Sequence, residues 1–331
     1  MHKLEVKSVS KILDSAKGKK VVVVGDVMLD RYFWGKVSRV SPEAPVPVID
    51  YENETFHLGG AANVANNLLS LGIVPILCGV LGDDKYAVKF KEISEENNII
   101  TDGLYTDPKR LTTVKTRIIG NNQQIVRLDR ESRDIIDEKA EKHILKTLEK
   151  IDDLSAIIFE DYNKGAISEN LIVETMKWAK EKGIPIFVDP KFENFFKYIG
   201  AKVFKPNLKE VSKALAREIN SREEFEKAGK EILEKLQSEN VMMTLGEKGV
   251  MLFESNGDIS SVPTRARMVA DVSGAGDTAI ATLTAAIIGG AGIKEAVTIA
   301  NLAAGIVCEH PGIVSIDELT LYDSVIRNST H

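Results

Sequence analysis

One segment of the sequence, residues 271–278 (DVSGAGDT), has residue types that suit phosphoryl transfer. Its glycines let the backbone approach a ligand closely, and the free N–H groups of a first helical turn attract a phosphate, so Gly274, Ala275 and Gly276 are candidate anion-binding residues. Asp277 would lie in that turn, where a carboxylate can take the proton from an attacking hydroxyl. A glycine-rich turn with an acidic helix start also occurs without any function, but the other polar residues of the segment favour a site.

A second segment, residues 59–65 (GGAANVA), also places two glycines before a predicted helix. Gly59 and Gly60 leave room for a ligand, and the amide of Asn63 can both donate to and accept from a sugar hydroxyl. A tight turn with a solvent-facing asparagine is an equally good interpretation of this segment alone.

Three short polar segments follow predicted strands: residues 25–31 (GDVMLDR), 205–210 (KPNLKE) and 244–249 (TLGEKG). Asp30 could bind a polyhydroxy ligand, and the alternative for its segment is helix capping with a surface ion pair. Asn207 and Glu210 could hold Mg²⁺-bound water beside phosphates, or could form a helix capping box. The third segment by itself is typical of an ordinary turn between two strands.

Two cations in polar surroundings, Arg127 and Lys191, are candidates for binding a substrate phosphate. Isolated lysines and arginines usually lie on solvated faces, so these two rank below the glycine loops.

Composition excludes several classes of function. The 331 residues include 43 basic and 49 acidic side chains, a net charge of −6, and 44% hydrophobic residues, which is typical of a globular protein. No cationic run indicates nucleic-acid binding. The five histidines and two cysteines show no metal-ligand or disulfide pattern. Without a signal-peptide core or a membrane span, we expect a cytoplasmic protein with no membrane partner.

The elements that must position these residues follow from hydrophobic patterning. Short β-branched runs alternate with amphipathic segments, which predicts a doubly wound, mostly parallel α/β sheet with helices on both faces and ligands at the carboxyl ends of the strands. The predicted strands are residues 21–24, 76–80, 156–159, 185–188, 203–205 and 241–244. The predicted helices are residues 61–71, 84–96, 137–151, 168–182, 222–238, 275–289 and 293–308.

Two regions interrupt this alternation, from about residues 31–57 and 110–130. They contain strand-like runs with no long helix between the pieces, including two runs around a turn at residues 120–122. We expect a small antiparallel sheet that projects from a single domain spanning residues 1–331. Such a sheet would be a lid over the site or a contact in a homodimer.

The chain lacks the G-x-x-x-x-G-K-[ST] phosphate loop, and no G-x-G-x-x-G follows its first strand, which argues against a Rossmann dehydrogenase. The ordered set GGAANVANNLLSLG, KPNLKE, TLGEKG and DVSGAGDT instead resembles the ribokinase-like (PfkB) carbohydrate kinases over essentially the whole chain. This resemblance implies a ribokinase-like fold, ATP and Mg²⁺ as cofactors, and a small-molecule sugar acceptor.

Longer stretches, such as VVVVGDVMLDRYFWGKVSRVSPEAPVPV, NNQQIVRLD and EDYNKGAI, resemble one branch of that family, the bacterial D-glycero-β-D-manno-heptose 7-phosphate kinases. The resemblance implies ATP-dependent phosphorylation of the anomeric C1 hydroxyl to the 1,7-bisphosphate, in ADP-heptose biosynthesis for lipopolysaccharide. In many bacteria this kinase is fused to a nucleotidyltransferase. We expect this chain of 331 residues to be the stand-alone kinase.

The resemblance also assigns roles. Asp277 becomes the general base, with the anion hole at Gly274–Gly276. The implied nucleotide contacts are Asn207, Glu210, Thr244, Gly246, Gly249, Asn301 and Ala304, with Glu210 near Mg²⁺. The implied sugar contacts are Asp30, Gly59, Gly60 and Asn63. Asp271 and Ser273 match positions that help bind a monovalent cation in relatives, but serine replaces the more frequent threonine, so dependence on K⁺ is left open.

Our own assignment gives the acceptor's 7-phosphate to Arg127 and Lys191. The alternatives are a related kinase for a ketohexose, a phosphorylated ketohexose or a nucleoside, and a non-catalytic sugar-phosphate sensor. The intact Asp277 and its glycine loop argue against the sensor.

Overall fold

The apolar runs predicted as strands lie side by side in one large sheet, in a computed structural model that describes residues 4–264, 271–310 and 312–329. The strands are β1 Lys20–Gly25, β2 Val27–Val40, β3 Pro47–Gly60, β4 Val74–Gly82, β5 Ile100–Asp107, β6 Thr113–Gly120, β7 Gln123–Arg130, β8 Leu154–Glu160, β9 Ile186–Asp189, β10 Val203–Phe204, β11 Asn240–Thr244, β12 Val250–Glu254 and β13 Ile259–Val262. The large sheet has nine strands in the order β13-β12-β11-β10-β9-β8-β1-β4-β5. Every pair from β11 to β5 is parallel, and β12 and β13 add an antiparallel edge.

Helices cover both faces of this sheet. They are α1 Val6–Ala16, α2 Ala61–Ser70, α3 Lys85–Glu96, α4 Glu138–Glu149, α5 Glu169–Lys182, α6 Leu208–Ala214, α7 Arg222–Leu236, α8 Ala275–Ile288, α9 Ile293–Cys308 and α10 Glu318–Ser329. The seven helices predicted from periodicity are all present, with ends within two residues of the prediction. The predicted α/β class is confirmed.

The sheet is held between two apolar layers. Along β1, Val21 and Val23 face the layer that contains α1, α2, α8 and α9, while Val22 and Val24 face the layer that contains α4, α5 and α7. All four valines are fully buried. Because each buried valine contributes about 1.5–3 kcal/mol, the central strands are strongly fixed, and so is the edge that their carboxyl ends form.

A second sheet of four strands, in the order β3-β2-β6-β7, projects from the first and is the predicted lid. The turn predicted at residues 120–122 joins β6 to β7, and Asn121 and Asn122 have positive φ angles there. One detail of the prediction is wrong. The β2–β3 and β6–β7 pairs are antiparallel, but β2 and β6 pair in parallel, because the chain returns to the lid by way of α2, β4, α3 and β5 and not by a hairpin.

Within the described ranges, no helix combines the length and the apolar character that crossing a bilayer would require.

Candidate active site

Ionisable side chains converge where parallel strands of the large sheet end. Glu160 is the last residue of β8, Asp189 is the last residue of β9, and Lys205 follows β10. All three are buried. The carboxyl edge of a parallel sheet is where α/β proteins bind ligands, so these buried charges mark a site and not a structural ion pair alone.

Helix α8 points its amino end at this edge. Gly274 is its N-cap residue with a φ of 80°, a left-handed conformation that favours glycine. Among the described residues, we find no hydrogen-bond partner for the N–H groups of Gly274 and Gly276, while Ala275 donates to the Val272 carbonyl at 3.3 Å. Two of the three predicted amides are therefore available to an anion, and they lie at the positive end of the helix dipole.

Asp277 lies in the first turn of α8 and forms the floor of the site, with only 5% of its surface exposed. Its Oδ2 accepts from Asn63 Nδ2 at 2.7 Å, and its Oδ1 accepts from the Tyr162 hydroxyl at 2.8 Å. Burial raises the pKa of Asp277 to about 6, although the two donors lower it. A carboxylate with a pKa near neutrality can accept a proton, and the Tyr162 hydroxyl occupies one of its two oxygens.

The glycine segment before α2 places the donor to Asp277. Gly60 adopts a φ of 59°, and a Cβ atom there would lie 2.4 Å from the Asp26 carbonyl oxygen. This turn seats α2 against α8, where Asn63 reaches the base. The sequence predicts that Asn63 contacts the sugar. In the structure its amide nitrogen donates a hydrogen bond to Asp277.

Gly59 lies against the side chain of Asp30. A Cβ atom on Gly59 would lie 2.1 Å from Asp30 Oδ2, so glycine leaves the space that this buried carboxylate fills. Asp30 forms an ion pair with Arg117 of the lid. The predicted sugar contacts Gly59, Gly60 and Asp30 thus lie together at the junction of the lid and α2.

A loop after β8 carries Tyr162 over the base, and Asp26 holds this loop. The buried Asp26 carboxylate accepts from the backbone N–H groups of Tyr162, Lys164 and Ala166 at 2.7, 3.0 and 3.0 Å. Burial, with repulsion from Asp161, raises the pKa of Asp26 to about 6. Asp26 therefore fixes the position of the loop from beneath.

Three carboxylates share the floor of the site. Oxygen atoms of Glu160, Asp189 and Asp277 all lie within 4.8 Å of one another, and Lys205 Nζ lies 2.7 Å from Asp189 Oδ2. Both carboxylate oxygens of Glu160 are buried without a hydrogen-bond partner among the described residues. Burial, then repulsion from Asp189 and Asp277, raises the pKa of Glu160 well above its usual range. Clustered carboxylate oxygens with unused lone pairs fit a hard divalent cation such as Mg²⁺.

The predicted nucleotide contacts form a neighbouring group. Asn207 and Glu210 make a complete capping box at the start of α6, so the structural interpretation of this segment is confirmed. Glu210 also accepts from Lys191 Nζ at 2.5 Å. Thr244 pairs with Asn207 through an isolated bridge, which brings the second and third polar segments together.

The remaining predicted nucleotide contacts lie near the end of β13. Gly249 has a φ of 85°, and a Cβ atom there would lie 2.1 Å from the Val262 carbonyl oxygen. Asn301 of α9 donates to the Pro263 carbonyl at 3.0 Å, and Ala304 is half-buried one turn later. Gly246 opens the short 3₁₀ turn Gly246–Lys248 with a φ of 62°. Gly249 and Asn301 therefore lie close to the residues at the end of β13, Val262 and Pro263.

The predicted cation-binding segment meets the loop after α9. Asp271 accepts from the N–H groups of Ser273 at 2.9 Å and Gly312 at 3.2 Å, and its own N–H donates to the Cys308 carbonyl at 3.2 Å. The two loops that the resemblance associates with a monovalent cation are therefore in contact.

The two cations that we assigned to the acceptor's phosphate lie in different places. Arg127, on β7, is half-exposed and makes two hydrogen bonds to Asp129, at 2.8 and 2.9 Å. Lys191 donates to Glu210, and its Nζ lies 5.0 Å from the centre of the Tyr162 ring. The structure does not bring these two residues together as one phosphate site.

Sequence reasoning missed Glu160, Asp189, Lys205 and Tyr162 as site residues. One signal was available: the first three follow apolar runs that were correctly predicted as parallel strands, and such positions gather at one edge. Tyr162 lies in the stretch EDYNKGAI that carries the resemblance, but its role could not be predicted because its contact with Asp277 joins positions 115 residues apart in the chain.

The comparisons with known proteins agree with this geometry. The model of the pfkB family carbohydrate kinases matches residues 18–319. The chain belongs to this family. It is therefore a phosphotransferase that acts on an alcohol group of a sugar, and the family implies ATP and a divalent metal. Membership sets aside the dehydrogenase and the non-catalytic sensor.

Within the pfkB family, curated relatives include the bifunctional protein HldE of Geobacter sulfurreducens, 39% identical over 323 residues, which cover 97% of this chain and 66% of the relative. The bifunctional protein HldE of Helicobacter pylori strain P12 is 42% identical over 316 residues, which cover 95% of this chain and 68% of the relative. The chain thus spans about two thirds of the length of these relatives.

Solved structures confirm the ribokinase-like fold. Phosphofructokinase-2 from Escherichia coli in complex with potassium superposes with a TM-score of 0.79 at 18% identity, covering 94% of this chain and 99% of that one. Arabidopsis thaliana ribokinase complexed with ribose and ATP superposes with a TM-score of 0.70 at 19% identity, covering 93% and 99%. At these identities the likeness describes the fold alone.

Proposed function

We propose that this pfkB-family kinase transfers the γ-phosphoryl group of ATP to the anomeric C1 hydroxyl of D-glycero-D-manno-heptose 7-phosphate, giving the 1,7-bisphosphate for ADP-heptose synthesis. The observation that carries the kinase chemistry is the buried Asp277 carboxylate beside the amides of Gly274 and Gly276, which have no partner in the part of the chain that the structure describes. The choice of heptose is supported by about 40% identity to HldE proteins across nearly the whole chain.

In the proposed mechanism, Asp277 accepts the proton of the C1 hydroxyl as that oxygen forms a bond to the γ-phosphorus. The bond between the γ-phosphorus and the β–γ bridging oxygen breaks, and ADP leaves with the electron pair. The free amides at the start of α8 and the Lys205 ammonium stabilise the charge on the transferred group. A Cβ atom on Gly276 would lie 3.6 Å from Lys205 Nζ, so the lysine borders the same space.

Glu160 and Asp189, two members of the carboxylate cluster, would hold Mg²⁺ beside the nucleotide phosphates, with Glu210 near it through a water molecule. The metal supplies charge neutralisation on the phosphate oxygens. Asp271 and Ser273 would hold K⁺ where the loops after β13 and α9 meet, so activity should rise with potassium at constant ionic strength.

The same proposal includes a homodimer that forms through the lid. Large apolar side chains of the lid are exposed, with Leu128 at 66%, Tyr51 at 62% and Val126 at 50%. Exposed apolar surface on an edge strand favours a protein contact.

The direct test is product analysis after incubation with MgATP and heptose 7-phosphate. We expect ³¹P NMR to show a new anomeric phosphate coupled to H1, with one ADP formed per product. Fructose 6-phosphate, ribose, a nucleoside and unphosphorylated heptose serve as competing acceptors in parallel reactions. A higher kcat/KM for any of these four would refute the heptose assignment but leave the family chemistry intact.

A further inference from the structure

One lysine of the lid lies close to the site without a carboxylate partner. Lys115, on β6, is half-buried, and among the described residues no acidic group lies within ion-pair distance of its ammonium. Its Nζ lies 5.0 Å from the centre of the Tyr162 ring. Because the hydroxyl of that ring donates to Asp277, the ring connects the lysine with the catalytic base.

Lys115 lies among charges of both signs, and the two acidic residues beside it on the neighbouring strands pair with other cations. Strand pairing places Lys115 opposite Asp30 on one side and opposite Asp129 on the other. Arg117 pairs with that same Asp30, and Arg127 pairs with that same Asp129.

Lys164, from the loop that Asp26 holds, pairs with Glu131 at 2.6 Å. Glu131 also pairs with Arg133. Of the four cations Lys115, Arg117, Arg127 and Lys164, three therefore form an ion pair with a carboxylate, whereas Lys115 forms none among the described residues. Burial lowers the pKa of Lys115. Asp30 opposes this as the largest charge effect, and weaker repulsion from Arg117, Lys164 and Arg127 adds to the lowering.

An uncompensated, half-buried cation beside a site indicates an anionic ligand, because burying an unpaired charge costs free energy that a bound anion would recover. The anion hole at α8 receives the donor's phosphate, so this second positive position is available to the acceptor.

We propose that Lys115, assisted by Arg117 and Lys164, binds the phosphate group that the acceptor carries away from its reacting hydroxyl. This inference rests on the proposed function, and it replaces our assignment of that phosphate to Arg127 and Lys191. The sugar then lies along Tyr162, with its reacting hydroxyl at Asp277 and its phosphate under the lid.

The test compares Lys115→Gln with Lys36→Gln, a control on the same lid whose side chain is 75% exposed and paired with Glu52. Steady-state kinetics with heptose 7-phosphate and with unphosphorylated heptose give kcat and KM separately. We expect Lys115→Gln to raise KM for the sugar phosphate about 10–100-fold, as loss of one charge-assisted hydrogen bond would do, with kcat changed less than about threefold. The kcat/KM for unphosphorylated heptose should stay within about twofold in both variants.

Lys115→Arg keeps the charge and should restore most of the affinity. If Lys115→Gln folds poorly, the salt dependence of KM replaces it as the test. Added salt weakens the attraction between a cation and a phosphate, so KM for the sugar phosphate should rise with salt in the wild type and in Lys115→Arg alike. A KM within about twofold of wild type for Lys115→Gln, or an equal loss for both acceptors, would overturn the subsite.

The two proposals fail in different ways. If heptose 7-phosphate is not an acceptor but another sugar phosphate is, the heptose assignment fails while the same comparison with that sugar phosphate still tests Lys115. If the wild type accepts only unphosphorylated sugars, the subsite itself is refuted.

Discussion

At the scale of single residues, the proposed mechanism depends on Asp277. We predict that Asp277→Asn keeps the fold and binds ATP as the wild type does, but loses about 10²–10⁴-fold in kcat, because it removes the base and leaves the amides of α8 in place. Calorimetric titration with ATP and steady-state kinetics measure the two properties separately. A kcat close to that of the wild type would contradict the base assignment.

The pKa of Asp277 makes activity depend on pH. Asp277 must be deprotonated to act as the base, so kcat/KM should fall as the pH drops through about 6, the value to which burial raises the pKa. Asn63 donates to the carboxylate and lowers its pKa, so Asn63→Leu should move this acidic limb to higher pH.

The matched control for that shift is Asn66→Leu. Asn66 lies on the same helix but donates to Ser315 at 2.7 Å, away from the base. Its pH profile, measured from pH 5 to 9, should coincide with that of the wild type. If both variants shift the limb equally, the cause is a general disturbance of α2 and not the lost donor.

At the scale of elements, the loop after β8 depends on Asp26. Asp26→Ala leaves three backbone N–H groups without their acceptor, so we predict a loss of roughly 2–4 kcal/mol in the free energy of unfolding, and a lower kcat because the loop carries Tyr162. Asp26→Asn keeps one acceptor oxygen and should lose less. Urea unfolding measures the first effect, and unchanged stability in Asp26→Ala would show that water replaces the carboxylate.

Helices and strands with a clear hydrophobic period were predictable from the sequence. Strands without such a period were predicted only in part or not at all. The seven predicted helices have amphipathic or uniformly apolar patterns of ten residues or more, which local sequence determines. The long strands β2 and β3 were predicted only in part, because their outer halves are exposed and lack an apolar pattern. The strand β13 has no buried residue and gave no signal.

The site was predictable where one segment supplies it and unpredictable where several do. The segment at residues 271–278 contains both Asp277 and the amides beside it, so their proximity in the first turn of α8 could be predicted from the residue types and their order. The partners of Asp277 come from α2 and from the loop after β8, and these contacts exist only after the sheet has formed. For the same reason, Lys115 was indistinguishable from any other lysine on a strand.

At the scale of the whole molecule, the lid should be both a cover and an interface. We predict that the double variant Val126→Asp/Leu128→Asp is monomeric at concentrations where the wild type is dimeric, because it places two charges on the exposed face of β7. Val173→Asp, a change at a half-exposed valine on α5, is the control and should leave the mass unchanged. Light scattering after gel filtration gives the masses, and a wild-type monomer would refute the dimer.

The phenol that rests on Asp277 has a consequence for an enzyme that has bound ATP before any sugar arrives. A water molecule at the Oδ1 atom could give up its proton there and hydrolyse the nucleotide for no gain. Tyr162 fills that position with its own hydroxyl, 2.8 Å from the carboxylate, and phenols are poor nucleophiles. We therefore predict that Tyr162→Phe, which lacks this hydroxyl, releases ADP from ATP faster than the wild type when no acceptor is present.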